Sequence, residues 1–474
     1  MKTVGVSLCL LLASCRAPAP ASVPTPARLP ISFTASGQRE LPERWWTDFG
    51  DPALDRLVEA ALLGNFDLRT FWDRLAQFEA IAAGEGAARR LTVDATAGAE
   101  GSVTRREHEN LDTTDFRLGI AARYELDFWG RLRAREEAAG FDVRASEEEV
   151  RTAAISLSAL VATTWYQLVE RREQIALLEE QNRTNAQILE LIELRFQQGQ
   201  FAAADVLRQR QLIEATRGDG VLAEADAELL ENLLAVLLGR APGRPLRIGE
   251  ARRLELPSLP DTGVPARLVE RRPDVRSAFY RVLASDRDVA AAIADRYPRF
   301  SLSGLLRTNS GGAGELFRTW FASLLLEGVQ PILDGGARGA ELDRTRAVVS
   351  ERLSDYGATI LTALREVEDA LVGERRQREF LRSLDRQIEL SEEVLDRIRD
   401  RYLNGAVGYL DTLQAIISLQ NLQRSRVLAN HRLIEFRINL CRALAGGWKM
   451  DRPEPATIRA PSAAGERDAR TTDE

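Results

Sequence analysis

Aromatic side chains make up only 6% of this 474-residue chain, and it holds just three cysteines and two histidines. A core so poor in rings suits long helices better than a sandwich of sheets. The formal net charge of -7 gives none of the basic footprint that neutralising phosphates demands, which excludes nucleic acid as a partner. His108 falls in an expected surface loop and His431 in an expected helix, and neither has metal-ligand spacing around it. There is no glycine-rich phosphate loop and no G-x-S-x-G elbow. Nothing in the chain forms a catalytic constellation, so an enzyme is not expected, and neither is a cofactor. Proline is missing from the whole interval between Pro52 and Pro242, and again between Pro331 and Pro453. Both intervals therefore permit very long helices.

What is present begins at the N-terminus. Lys2, an apolar stretch from Val4 to Leu12, and then Leu12-Ala13-Ser14-Cys15 read as a secretory signal, too short to span a membrane. A cysteine directly after small residues has the form of a bacterial lipobox, in which Cys15 is acylated and becomes the first mature residue. Cys441 then remains as the one thiol of the mature chain, and in an oxidising compartment it reads as a packing residue. Pro18, Pro20, Pro24, Pro26 and Pro30 follow, an extended tether between lipid and fold.

The body of the chain is duplicated. Ile175, Leu178, Asn182, Asn185, Leu189, Ile192 and Phe196 keep a 3,4 spacing, and Leu381, Leu384, Ile388, Ser391, Leu395, Ile398 and Tyr402 repeat it 206 positions later. That is one coiled-coil seam in one register, twice. Beyond it, Arg195, Gly199, Asp205 and Leu207 return as Arg401, Gly405, Asp411 and Leu413. Gly199 and Gly405 each interrupt a helical pattern, marking a turn at a helix tip. Asp205 and Asp411 are candidate caps of the returning helices, or something more.

Each half also carries period-two segments. From Thr92 to Thr104 apolar and polar residues alternate, and from Phe116 to Phe128 the even positions are apolar while Arg117, Arg123, Glu125 and Asp127 face the other way. Phe300 to Arg307 alternates as well; the apolar run Trp320 to Leu333 is ambiguous on periodicity alone. Residues 105–115 and 309–319 read as surface loops. Strands of this length with one apolar face can cross an outer membrane, although a soluble sheet fits the alternation too. Four strands cannot close a barrel, so the barrel must be shared between subunits; three protomers give twelve strands, while dimers or tetramers also satisfy the arithmetic. A helix from about Arg131 to Gln198 would be about 100 Å long, longer than any compact domain of this size requires.

Trp46-x-x-Phe49-x-Asp51-Pro52-x-Leu54, Tyr124-Glu125-Leu126-Asp127-Phe128-Trp129-Gly130, Arg271-Arg272-Pro273-Asp274-Val275, Tyr297-Pro298-x-Phe300-Ser301-Leu302, Pro331-Ile332-Leu333-Asp334-Gly335-Gly336, Glu366-Val367-Glu368-Asp369-Ala370-Leu371 and Tyr402-x-x-Gly405 to Leu413 occur in that order. Together they resemble the TolC/OprM outer-membrane efflux proteins, in particular the NodT-like lipoprotein branch. The resemblance implies a mixed fold of long helices and a transmembrane β-barrel. Four strands per protomer would form a shared twelve-stranded trimeric barrel above a coiled-coil α-barrel and a small mixed α/β equatorial region. It implies a homotrimer in the outer membrane of a Gram-negative bacterium, working with a periplasmic adaptor protein and an inner-membrane pump of the resistance-nodulation-division type. Small toxic compounds are the expected cargo; a polypeptide secretion duct and a pore-less coiled-coil scaffold lipoprotein are the alternatives.

In this reading residues 1–14 are signal, 15–44 the acylated cysteine and tether, 45–90 periplasmic helices and 91–129 the first hairpin. Long helices over 130–238 turn near 199–205, and 239–272 is an equatorial connection. A helix over 273–298 leads to the second hairpin at 299–333, long helices over 334–446 turn near 405–411, and 447–474 is a flexible tail. The resemblance further places Asp411 in an acidic ring that narrows the pore, with Asp205 nearby and Gln414 where some relatives carry a second acid. Gly199 and Gly405 mark the adaptor-facing turns. Val407 stands where one relative has a tip arginine. Asp127 and Asp334, beside glycines at strand-to-helix passages, read as turn chemistry.

The lipobox is open to a direct check. Cys15→Ala should abolish incorporation of labelled palmitate; unchanged label in the variant would sink the assignment.

Overall fold

The computed structural model describes residues 27–106, 109–200, 202–244, 254 and 256–453. The signal, Cys15 and the first part of the tether lie outside the described residues. A short 3-10 turn (Trp45–Phe49) leads into α1 (Pro52–Gly64) and α2 (Phe66–Ala87), then β1 (Thr92–Arg106), β2 (Glu109–Leu126), α3 (Arg131–Gln197) and α4 (Ala203–Leu237). The second half repeats the plan, with α5 (Pro265–Arg271), α6 (Pro273–Ala294), β3 (Arg299–Ser310), β4 (Phe321–Val329), α7 (Ala337–Leu403) and α8 (Tyr409–Leu444). α3 and α7 are each 67 residues long, about 100 Å at ~1.5 Å per residue.

Local chemistry fixes where these elements start and stop. Asp51 accepts from the amides of Ala53 and Leu54 with Pro52 in the first turn, and Asn65 accepts from Leu68, so α1 and α2 are capped by side chains. Asp127 accepts from the amides of Leu132 (3.1 Å) and Arg133 (2.8 Å), while Asp334 accepts from Gly336 and Arg338. Gly130 and Gly336 adopt φ of 74° and 88° beside them, so the turn-chemistry reading of both aspartates holds.

Which helix touches which sets the architecture. Near the sheet α3 packs between α2 and α6, and α6 packs on α7; farther away α3 pairs with α4, α7 pairs with α8, and α8 lies against α3. Across the protomer the order is therefore α2-α3-α6-α7 at one level and α4-α3-α8-α7 at the next. An apolar stretch of α3 is long enough to cross a membrane, yet 67% of it is buried against neighbouring helices.

The widest core forms where these two levels meet. Trp45, Trp46, Phe49, Trp165 and Tyr166 are buried together, and the indoles of Trp165 and Trp45 donate to Asp51 (2.7 Å) and Ser158 (3.1 Å). Cys441 is fully buried in the same cluster; burial pushes its thiol up to about 12, as a packing residue requires. Arg437, wholly buried, forks onto Glu374 at 2.6 and 2.9 Å and donates to the carbonyls of Pro257 and Ser258. Removing either charge strands the other, at a cost of about 3–5 kcal/mol.

Three expectations need correction. The tether does not extend through residue 44. Phe33 is buried against α7 and α8, Thr34 bonds Glu368, and Arg39 pairs with Asp48, because an apolar ring and paired polar groups are worth more in contact than in water. Nor is the tail free from residue 447, since Trp448 stacks edge-on against Trp46 at 4.9 Å and Arg452 pairs with Glu79. The connection 105–115 is not a loop in its described residues: β1 reaches Arg106 and β2 starts at Glu109, the ladder of backbone hydrogen bonds continuing on both sides of residues 107–108.

His431 on α8 is buried beside Arg171, and burial, then that guanidinium, lowers its pKa from 6.5 to about 4. The unfolded chain therefore takes up this proton first as pH falls. Stability from this site is complete above about 6.5 and is lost between there and 4, up to about 3 kcal/mol per protomer. His431→Gln should flatten the fall of the helical melting temperature over that window; an unchanged pH profile would show that other groups govern it.

Candidate functional site

The sheet is antiparallel in the order β1-β2-β3-β4, with β1 and β4 as edges. Its register aligns one kind of side chain across all four strands. Ala95 pairs with Ile120, Ile120 with Leu306 and Leu306 with Ala322; one step on, Val93 pairs with Ala122, Ala122 with Gly304 and Gly304 with Leu324. Since side chains alternate along each strand, these rows make a single apolar face. On β2 that face runs from Phe116 to Leu126, which at a barrel tilt covers about 25 Å, the height of an outer-membrane band. Aromatic rings mark both ends. Trp129 stacks on Tyr297 at 4.9 Å and donates to the Pro298 carbonyl on the helix side, while Phe317 and Trp320 meet at 6.0 Å beyond the far end.

The opposite face is polar. Arg117 pairs with Asp115 (2.7 Å) and Glu100 (2.6 Å), Ser102 bonds Thr113, Arg307 lies over the Phe321 ring, and Glu125 at the helix end holds Arg131 at 2.7 Å. A sheet with one face for lipid and one for water is the wall of a pore, and a coiled-coil scaffold has no use for it.

The far ends of the long helices form the second part of the site. α3 closes with the Gly199 amide on Phe196 and the Gln200 amide on Arg195; α7 closes identically, Gly405 on Tyr402 and Ala406 on Arg401. Gly199 and Gly405 have φ of 75° and 73°, as such closures require. Ile192, Val206, Tyr409 and Leu413 pack the two turns together.

Behind this small cluster lies a buried polar chain. The Tyr409 hydroxyl donates to Gln209 Oε1 (2.5 Å) and Gln209 Nε2 to the Asn185 carbonyl (2.7 Å). Gln420 Nε2 donates to Asn185 Oδ1 (2.9 Å), and Gln181 Nε2 reaches the Gln420 carbonyl (3.2 Å) and Gln423 (3.1 Å). α3, α4 and α8 are thus joined through amides. Beside it, a cavity of about 630 Å³ between α3, α7 and α8 is lined by Gln181, Leu191, Leu395, Tyr402 and Ile416, among others. Arg195 bonds the Tyr402 hydroxyl across from α3 to α7. Burial raises the pKa of both Tyr402 and Tyr409, and the Asp205 carboxylate adds to it, so each phenol keeps its proton at any physiological pH.

Asp205 and Asp411 occupy equivalent places, each the third residue of its helix, and neither is a cap. Ala202 and Gly408 hold the capping positions without side-chain bonds. Asp205 pairs with Arg208 at 3.1 Å, whereas Asp411 is exposed with no partner among the described residues. Gln414, one turn later, is exposed too. Val407 takes no polar part in joining the tips, which Arg195, Gln209 and Tyr409 do instead. Of these only Arg195 stood out in the repeat; Asn185 was visible as a polar seam position, but its partners come from other helices.

Together these features define an outer-membrane channel with a periplasmic helical extension. Residues 57–240 and 264–446 match the outer membrane efflux protein family, and the chain belongs to that family. It is 32% identical over 471 residues to the pyoverdine export outer membrane protein OpmQ of Pseudomonas aeruginosa, covering 94% of this chain and 97% of that protein. It is 27% identical to the probable outer membrane lipoprotein SilC of Salmonella typhimurium, covering 94% and 99%. The solved outer-membrane channel OprN superposes with a TM-score of 0.83 at 28% identity, covering 90% of this chain and 98% of that one.

Tyr409→Phe removes the donor to Gln209 Oε1 and leaves a buried acceptor unpaired, at about 1–2 kcal/mol. Hydrogen exchange should rise roughly 5- to 30-fold in the tip turns and stay unchanged around Trp165. Equal protection at the tips would show that this bond does not hold them.

Proposed function

We propose that three copies of this chain form a passive exit duct for small molecules, anchored by lipid on Cys15 and completed below by a periplasmic adaptor and a proton-driven inner-membrane pump. The observation that carries the reading is the sheet, with its continuous lipid face, its polar face and its two unpaired edges. Twelve strands from three chains satisfy every edge. Helices of about 100 Å extend the duct through the periplasm, and their tips, at Gly199 and Gly405, are where an adaptor would meet it. The likeness to a pyoverdine exporter supports a small-molecule cargo over a polypeptide, and the likeness to a lipoprotein supports the anchor. The duct performs no chemistry.

In this assembly Asp411 from three protomers surrounds the axis at the tips, with Gln414 beside it and Asp205 behind. Unpaired carboxylates gathered there would attract cations. Detergent-purified protein should scatter light as three protomers, and a monomer with full β-content would refute the shared barrel. In planar bilayers Asp411→Ala should lower cation selectivity and weaken block by multivalent cations added from the periplasmic side. If both are unchanged, the constriction lies elsewhere.

A further inference from the structure

The water-facing side of the sheet is not polar throughout. Level with the lipid band, β1 and β2 carry nothing apolar larger than Ala121 on that side. β3 and β4 carry Leu305, Phe321 and Leu325 there, Phe321 and Leu325 being 48% and 55% exposed. The register brings the three together. Leu305 pairs with Ser323, so Phe321 and Leu325 occupy its two diagonals, within reach of side chains of this size. Leu305 also pairs with Ala121, halfway along the band that runs from Phe116 to Leu126, so the patch sits at mid-height in the membrane. Large apolar side chains left against water forgo the gain of burial. A wall that had only to meet water would carry hydroxyls at these places, as β1 carries Thr92 and Thr96. A contiguous group of this kind marks a surface that something apolar touches.

Two guanidiniums border the patch. Arg307 lies over the Phe321 ring, 5.1 Å from its centroid, and Arg123 stands toward the helices, in the row of Ser303 and Leu325. Neither pairs with a carboxylate among the described residues, whereas Arg117, farther out, is held by Glu100 and Asp115. Across the three rows from Gly119 to Arg123 these two cations face a single acid, Asp94 on β1. Lipid of low dielectric behind a thin wall keeps their field inside the lumen.

We propose that Leu305, Phe321 and Leu325, bordered by Arg307 and Arg123, form a weak lumenal site for aromatic organic anions, which are held at the wall as they leave. This rests on the duct reading and names a class of cargo within it. The ring of such a solute packs on Phe321 and the two leucines, and its sulfonate or carboxylate accepts from a guanidinium, whose planar fork suits anionic oxygens. An aromatic cation gains the first contact without the second, and a small anion the second without the first. Passage requires that the hold be weak, and a patch half open to water meets that condition. The Asp411 carboxylates stand at the far end of helices about 100 Å long, many times the screening length of about 8 Å, so they do not act on this site.

The test is saturation-transfer NMR with naphthalene-2-sulfonate on the full chain in phosphatidylcholine nanodiscs, the signal of empty nanodiscs being subtracted. Binding should saturate, and equal concentrations of methanesulfonate or benzylammonium should not displace it. Arg307→Gln and Phe321→Ser should each raise the dissociation constant roughly 2- to 10-fold, while Leu324→Ala on the lipid face leaves it unchanged. A charged, water-soluble maleimide checks the face in the same nanodiscs. Leu325→Cys should react and Leu324→Cys should not; Cys441 is fully buried and adds nothing. If Leu325→Cys stays unreacted, the polar face does not line a lumen, and the duct reading falls with the site. If it reacts, the site alone is overturned by any of three results: no binding above empty nanodiscs, displacement by methanesulfonate, or equal affinity in Arg307→Gln, Phe321→Ser and the unaltered chain.

Discussion

A backbone amide or carbonyl left unpaired in hydrocarbon costs several kcal/mol, and the two edges of this sheet present whole rows of them. The pairing register puts an apolar face on all four strands, so the sheet is built for lipid, yet the outer edges of β1 and β4 have no partner among the described residues. The protomer is in this sense unfinished. Its remaining structure reads as a consequence: each strand is joined at one end to a helix, and the helices keep the order of the strands.

Gene duplication makes that order economical. β1 and β2 with α2 and α3 supply one half of the arc, and β3 and β4 with α6 and α7 supply the other, each hairpin closing through an aspartate and a glycine at Asp127-Gly130 or Asp334-Gly336. A sheet arc and a helical arc can share one curvature only if both have the same number of members per repeat. Two strands stand over two helices in each half, at both levels. The halves differ where symmetry has no work to do: the waist aromatics Trp165 and Tyr166 belong to α3, and α7 offers Glu374 to Arg437 at a corresponding depth.

Much of this was legible because it is periodic. The even-numbered apolar face of β2, the seam repeated after 206 residues and the glycines at both tips survive in one dimension, since period, spacing and φ demand are local properties. β4 was ambiguous because Leu324, Leu325 and Leu326 are consecutive, and only pairing with β3 assigns Leu325 to the polar face. The strand nature of residues 105–106 and 109–115 was hidden by their polarity: the ladder of backbone hydrogen bonds runs on past the lipid band. Phe33 and Trp448 were hidden by position, near the ends, where a proline-rich or charged neighbourhood masks one well-placed ring. The tip network was least legible, because a glutamine on an exposed-looking helix carries no mark of the partner that buries it. Asp205 and Asp411 were open in the sequence between caps and something more; each is the third residue of its helix, and Ala202 and Gly408 hold the capping positions.

The tips also show why amides stand where leucines could. A seam of leucines at Asn185, Gln209 and Gln420 would bind α3, α4 and α8 at roughly 2–3 kcal/mol per side chain, with no preference for one register over another. Hydrogen-bonded amides contribute nearer 1 kcal/mol each and lose much of that when misaligned, so they specify the arrangement more than they stabilise it. The apolar cluster beside them is small, four buried side chains with Tyr409 among them. A junction held in this way is defined in geometry and modest in energy, a few kcal/mol in all. A partner that binds the separated tips a few kcal/mol more tightly than the joined ones is sufficient to open it. The waist, held by its tryptophans and the buried Arg437–Glu374 pair, is the costlier of the two junctions to separate, because breaking it strands a buried charge as well as exposing rings.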